Sequence, residues 1–174
     1  MVETGGAGDT GALARRAARV LAVSDGGRVL LLRGGDPARP GIHIWHAPGG
    51  GVEAGEDDRE AAAREFLEET GRAVELGPLV WDRHLEFSFN HVLYRQYELY
   101  FLTHVGAEFE PDDDGHNEIE QEYLSGYGWF SPDDLRAAGE NDLLAPPDIV
   151  DRFEELLRDG PPDSVVRVLG AVLP

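Results

Sequence analysis

Cysteine is absent from the chain, which excludes disulfides and thiolate metal ligands. Positive charge is scarce, with 15 basic residues against 34 acidic ones and a formal net charge of −19. That balance disfavours non-specific contact with DNA, RNA or an anionic membrane. It leaves room for a phosphorylated small molecule, because a bound cation inverts the local field. No apolar run approaches the roughly 18 residues a transmembrane helix needs. The N-terminus shows no basic segment followed by an apolar core, so a secretory signal is not expected and a cytoplasmic location is. The Walker phosphate loop is missing too, since no Gly-Lys-Ser/Thr follows the glycines at 49–51.

The 174 residues suffice for one domain with a real core. Residues 1–14 are rich in Gly, Thr and Ala and are expected to fray. The domain proper is assigned to 15–160, and no structure is assigned to the tail at 161–174. Val20–Val23 and Arg28–Arg33 flank a Gly-rich turn and predict a β-hairpin. The stretch 34–41, with two prolines, reads as a loop. A short strand over Ile42–Ala47 precedes the glycines. Asp57–Thr70 predicts a helix, capped by Asp57 or Asp58 and stopped by Gly71, with Ala62 and Phe66 on its buried side. Leu85, Phe87 and Phe89 alternate with polar residues, the period of a half-buried strand. Another strand is expected over Tyr94–Val105 and a short one around Trp129. Ser131 and Pro132 open a short helix, and Ile149–Arg158 is the last. This mixed order points to an α/β domain of layered or α+β type rather than a regular βαβ winding.

The most informative segment is 50–72. Its helix carries Glu65, Glu68 and Glu69 at i, i+3 and i+4, on one face. Like charges at that spacing repel, and a hard divalent cation such as Mg²⁺ is the natural counter-charge. A diphosphate shields its bridging bond with negative charge; divalent cations neutralise that charge and activate water. Gly49–Gly51 let backbone approach a ligand closely. Glu56 and Arg64 form an ion pair bracing the loop on the helix.

The spacing of Gly50, Glu56, Arg64, Glu65, Phe66, Glu68, Glu69 and Gly71 resembles the Nudix box, which spans 23 residues here. Phe66 stands where an aliphatic residue is usual. Arg72 replaces the closing aliphatic residue, and Ala73 or Val74 is expected to take over its packing. Pro48-Gly49-Gly50-Gly51 resembles the usual lead-in, and the stretch 128–135 resembles the late strand and helix of the family. The stretches 31–41 and 117–120 are similar to Nudix proteins of actinobacterial type.

The resemblance implies a Nudix-like α/β/α sandwich with a mixed β-sheet. It implies a pyrophosphohydrolase that uses Mg²⁺ (or Mn²⁺) and water on a nucleotide or other small diphosphate, as a monomer or homodimer. Glu65, Glu68 and Glu69 would hold metal, with one of them as base. Gly50, Glu56, Arg64 and Gly71 would support the site. Such enzymes often recruit a later Glu; Glu120 is the first choice and Glu118 the second. Candidate substrate contacts are Arg33, Trp45, Gly49, Phe87 and Tyr97.

The rival readings are a non-catalytic nucleotide sensor, which has no need of three carboxylates, and an isoprenoid diphosphate isomerase, whose known form needs a cysteine. Asp112-Asp113-Asp114-Gly115 fails as a calcium loop, because Gln121 stands where a bidentate Glu is required. His43 and His46 fall on opposite strand faces and do not pair on a metal. Secondary signatures are missing: Phe87 stands where the ADP-ribose class carries Pro, and Ser88, Phe89 and Asn90 stand where the dinucleoside-polyphosphate class carries Tyr.

Overall fold

The computed structural model describes residues 11–112, 114, 116, 118 and 123–170. Strands β1 (Leu13–Ser24) and β2 (Val29–Asp36) are joined by a turn in which Gly27 takes φ +71°, a left-handed conformation that glycine adopts without strain. β3 (Arg39–His46) and β4 (Gly49–Gly51) lead into helix α1 (Asp58–Thr70). β5 (Leu79–Phe89) and β6 (Val92–Gly106) form a hairpin. Its two-residue turn, Asn90-His91, has positive φ at both positions, the twist that matches antiparallel strands. β7 (Leu124–Phe130), α2 (Pro132–Ala138), β8 (Leu143–Ala145), α3 (Ile149–Asp159) and β9 (Val166–Arg167) complete the described elements.

The strands make one mixed sheet in the order β8-β3-β2-β1-β6-β5-β9, with β4 paired to β1 and β7 to β2. Its centre is the long parallel pair β1–β6, in register from Leu13↔Tyr94 onward. Alternation along these two strands sorts the core into two halves. Ala18, Val20, Ala22, Leu99 and Phe101 face α1, which docks Ala61, Ala62 and Phe66 against them. Leu21, Val23, Tyr100 and Leu102 face the other way, onto Leu135 of α2 and Ile149, Phe153 and Leu156 of α3. Helices thus cover both faces, which is the α/β/α arrangement expected. Beyond α2 and α3 no helix among the described residues covers the second face, and a cleft occupies it.

The ends of α1 follow from its sequence. Asp57 caps the first turn in a reciprocal box with Glu60, and Gly71 closes the helix at φ +70° with its N–H on the Leu67 carbonyl. Val74 packs against the α1-side core whereas Ala73 is exposed, so Val74 fills the role that Arg72 leaves open. Arg72 itself lies over the Phe109 ring, 4.3 Å from its centre.

Two expectations are corrected. The stretch 34–41 is not a loop: Gly34 and Gly35 continue β2, paired to β3, and only Pro37 and Ala38 turn. Asp36 accepts a hydrogen bond from the Ala38 N–H at 2.9 Å, which tightens that turn. The pairing of β2 on both edges outweighs the low strand preference of the two glycines. Leu13 and Ala14, placed in the fraying segment, belong to β1. Part of the C-terminal tail also joins the sheet, as β9 beside β5. No helix among the described residues is long and apolar enough to cross a membrane.

Candidate active site

The site is built where β4 crosses α1. Gly49 takes φ +143°, and any Cβ there would run into the Ala18 carbonyl oxygen and Arg19 at Cα. Its N–H donates to Glu69 Oε2 at 2.7 Å, although Glu69 is only 1% exposed. A Cβ on Gly50 would lie 2.5 Å from the Glu65 carboxyl carbon. The glycines therefore act as a window: without side chains on β4, carboxylates rooted in α1 reach the cleft beyond it. Glu65 and Glu69 both line that cleft, and Glu68 does not. Replacing Gly50 by Ala should displace Glu65 and cost about 10²-fold in turnover, with little change in melting temperature, as kinetics and thermal denaturation of that variant will show.

Arg64 does more than brace the loop. It pairs with Glu56 through two hydrogen bonds of 2.8 and 3.0 Å and donates to the Gly51 carbonyl at 3.1 Å. It also donates to Glu65 at 2.8 Å and reaches Glu68 at 3.4 Å. These contacts hold the Glu56 carboxyl down at about 2 and offset part of the repulsion within the acidic face. With Glu65 and Glu68 turned toward Arg64, no three acidic or imidazole groups among the described residues converge as a metal site. The donor chemistry still fits a hard cation: two carboxylates open onto one cleft through the glycine window, and the third is tethered to the same guanidinium.

The cleft has a volume of about 330 Å³. Its mouth carries Phe87, Phe89, Tyr94 and Tyr123, with Phe87 stacked on Tyr94 at 5.4 Å. Its floor is a buried ionic network that sequence reading missed. Glu98 is 0% exposed. It accepts from Arg19 at 2.8 Å, Arg83 at 2.5 Å, Gln96 at 2.6 Å and Tyr100 at 2.8 Å. Burial alone would raise the Glu98 carboxyl, but Arg19 and Arg83 hold it well below the usual range. The signal was present as polar residues at period two, Gln96 and Glu98, inside the otherwise apolar β6.

His46 closes this network, its Nδ1 lying 3.3 Å from Arg19 Nη1 and 3.1 Å from the Ala47 carbonyl. Burial, then the charge of Arg19, pushes its pKa from 6.5 down to about 4. The folded state therefore resists protonation that the unfolded state accepts. Its stability contribution is complete above pH 6.5 and is lost as pH falls toward 4. Denaturation midpoints recorded at about pH 7 and about pH 5 should converge in His46→Asn relative to the parent.

Of the candidate substrate contacts, the structure brings Gly49 and Phe87 to the cleft. The other three do not line it. Arg33 is held by Asp142 through hydrogen bonds of 2.8 and 3.0 Å, and Trp45 donates to the same carboxylate at 2.9 Å while its ring packs on Phe130. Asp142 thus draws both residues into a structural node between β3 and β8. Tyr97 lies on the opposite face of β6 from Gln96 and Glu98, bonded to Asp82 at 2.9 Å and stacked on His84. Glu120 lies outside the described residues, and Glu118 is exposed. The acidic segment that carries them is tied to the end of α1, where the Asp112 N–H donates to the Thr70 carbonyl at 3.0 Å and His116 Nε2 lies 3.0 Å from the Glu69 carbonyl. Tyr123 lines the cleft.

A glycine window admitting helical carboxylates to a cleft of this topology defines a Nudix-type domain. The NUDIX domain model matches residues 13–150, and the chain belongs to the Nudix family. A crystal structure of a MutT protein from Methanosarcina mazei Go1 superposes with a TM-score of 0.62 over 85% of this chain and 98% of that one, at 23% identity. Curated proteins match over shorter stretches, two of them as follows. An RNA pyrophosphohydrolase of Dinoroseobacter shibae is 59% identical over 34 residues, 20% of this chain and 21% of that protein. A candidate 8-oxo-dGTP diphosphatase of Bacillus subtilis is 40% identical over 52 residues, 30% of this chain and 32% of that protein. The matched stretches thus span a fifth to a third of those relatives.

Proposed function

We propose that this protein is a divalent-metal-dependent hydrolase that cleaves a pyrophosphate linkage in a nucleoside diphosphate derivative by attack of an activated water. One observation carries the reading: Glu65 and Glu69 enter, through the glycine window, a cleft that also holds guanidinium groups and stacked aromatic rings. Glu65, Glu68 and Glu69 would hold Mg²⁺ or Mn²⁺. The cation, when bound, neutralises phosphate charge and acidifies water. Glu69, oriented by the Gly49 N–H, is placed to hold a ligand or to take the water's proton. Glu56 and Arg64 fix the loop against the helix. Phe87 and Tyr94 present flat apolar surface for a base. Glu120, with Glu118 as second choice, is the candidate for a further carboxylate.

One curated relative is named as an RNA pyrophosphohydrolase and another as a candidate 8-oxo-dGTP diphosphatase, and both names agree with this reaction class. A panel of nucleoside diphosphate derivatives, assayed for product with Mg²⁺ and with Mn²⁺, tests it. Metal-dependent release from at least one compound is expected. Thermal stabilisation by a nucleotide with no turnover across the panel would instead identify a sensing module.

A further inference from the structure

Every basic residue of the chain is an arginine, and in so acidic a protein nearly all of them have carboxylate partners. Among the described residues three have none: Arg15, Arg59 and Arg72. Arg59 donates to the carbonyls of Leu76 and Gly77, and Arg72 covers Phe109. The Arg15 guanidinium makes no hydrogen bond or ion pair with any described residue. Its guanidinium sits over the Tyr94 ring, 5.5 Å from the centre, and Tyr94 in turn stacks on Phe87.

Its position is specific. Arg15 stands on β1 opposite Gln96 and lines the cleft beside Glu65 and Glu69. Its Nη2 would lie 3.2 Å from a Cβ at Gly51, one residue along β4 from the glycine that faces Glu65. Arg15 is exposed; burial of part of its side chain and the nearby Arg19 lower its pKa, against the opposing pull of Tyr94 and Glu98. Arg15 also borders a second groove on its outer side. That groove is lined by Glu53, Glu56, Asp57 and Asp58, with Arg16 paired to Asp58 among them. A phosphate chain reaching Arg15 from the cleft would meet an excess of carboxylates over guanidinium groups if it went further, since Asp58 pairs with Arg16 and Glu56 with Arg64.

We propose that Arg15 receives the terminal phosphate of a nucleotide, so that the substrate's phosphate chain ends there instead of continuing into a second nucleoside. This rests on the pyrophosphohydrolase reading above. A terminal phosphate carries more charge and more acceptor oxygens than an esterified one, and a planar guanidinium pairs with it bidentately. The ring of Tyr94 holds the guanidinium flat and restricts its rotamers without neutralising it. The acidic groove beyond Arg15 disfavours any anionic extension.

The test compares the parent with Arg15→Gln and Arg15→Lys on a nucleoside triphosphate and on the same nucleotide methylated on its terminal phosphate. The parent should prefer the unesterified substrate. Arg15→Gln should raise KM for it by roughly ten- to a hundredfold, leave kcat and the ester nearly unchanged, and abolish the preference; Arg15→Lys should restore part of it. Turnover with a KM insensitive to Arg15→Gln would overturn the inference and leave the reaction class standing. Calorimetric binding of a methylene-bridged triphosphate separates the remaining cases. Arg15-dependent binding without turnover would support the inference while refuting catalysis; neither binding nor turnover would refute both.

Discussion

Glu69→Gln is expected to lower turnover by roughly 10²- to 10⁴-fold while leaving the fold intact. Glu69 is buried, and its Oε2 accepts the Gly49 N–H at 2.7 Å. A glutamine there keeps the shape and can still accept that hydrogen bond through its amide oxygen. What it loses is the negative charge that a cation or a reacting water's proton requires. The melting temperature should therefore stay within a few degrees of the parent. A variant that turned over as fast as the parent at saturating Mg²⁺ would remove Glu69 from the chemistry. A variant that failed to fold would show that the Gly49 contact needs the ionised group, and Glu65→Gln, on the neighbouring turn of the same helix, would then carry the test of charge.

The second large effect is on stability. Glu98→Gln should cost about 3–5 kcal/mol in a denaturant titration, because it leaves two buried guanidiniums facing each other without a counter-charge. Arg19 and Arg83 both terminate on this one carboxylate, and Tyr100 donates to it as well. That is a large share of the roughly 5–15 kcal/mol that holds a typical domain together. Adding Arg83→Gln to Glu98→Gln should cost far less than the sum of the single changes, since the second removes the charge that the first stranded. Acid acts in the same direction. A depressed carboxyl contributes stability that is complete above its ordinary value of 4.5 and is lost as pH falls through its folded value. Additive costs in the double variant would mean that the network is not coupled.

The acidic helix was legible because its information is local. The Asp57 cap, the Gly71 stop and the spacing of Glu65, Glu68 and Glu69 all lie within one stretch of chain, and helical geometry alone brings them to one face. The cleft floor was not legible, because Arg19 and Glu98 are 79 residues apart and meet only through the parallel pairing of β1 with β6. Tyr97 shows a different limit. Period-two alternation separated its face of β6 from that of Gln96 and Glu98, but gave no sign of which face α1 would cover. Arg33 and Trp45 were drawn away from the cleft by Asp142, 109 and 97 residues later in the chain. Arg64 was foreseen as the partner of Glu56; its further contacts with Glu65 and Glu68 depend on side-chain directions that spacing does not specify.

Hydrolysis in ¹⁸O-labelled water, with and without a chelator, tests the central claim most directly. A nucleoside diphosphate derivative should be cleaved only in the presence of Mg²⁺ or Mn²⁺, with one labelled oxygen on a product phosphate and loss of that signal in Glu69→Gln. Cleavage that persists in the chelator, or product phosphates that carry no label, would contradict the assignment.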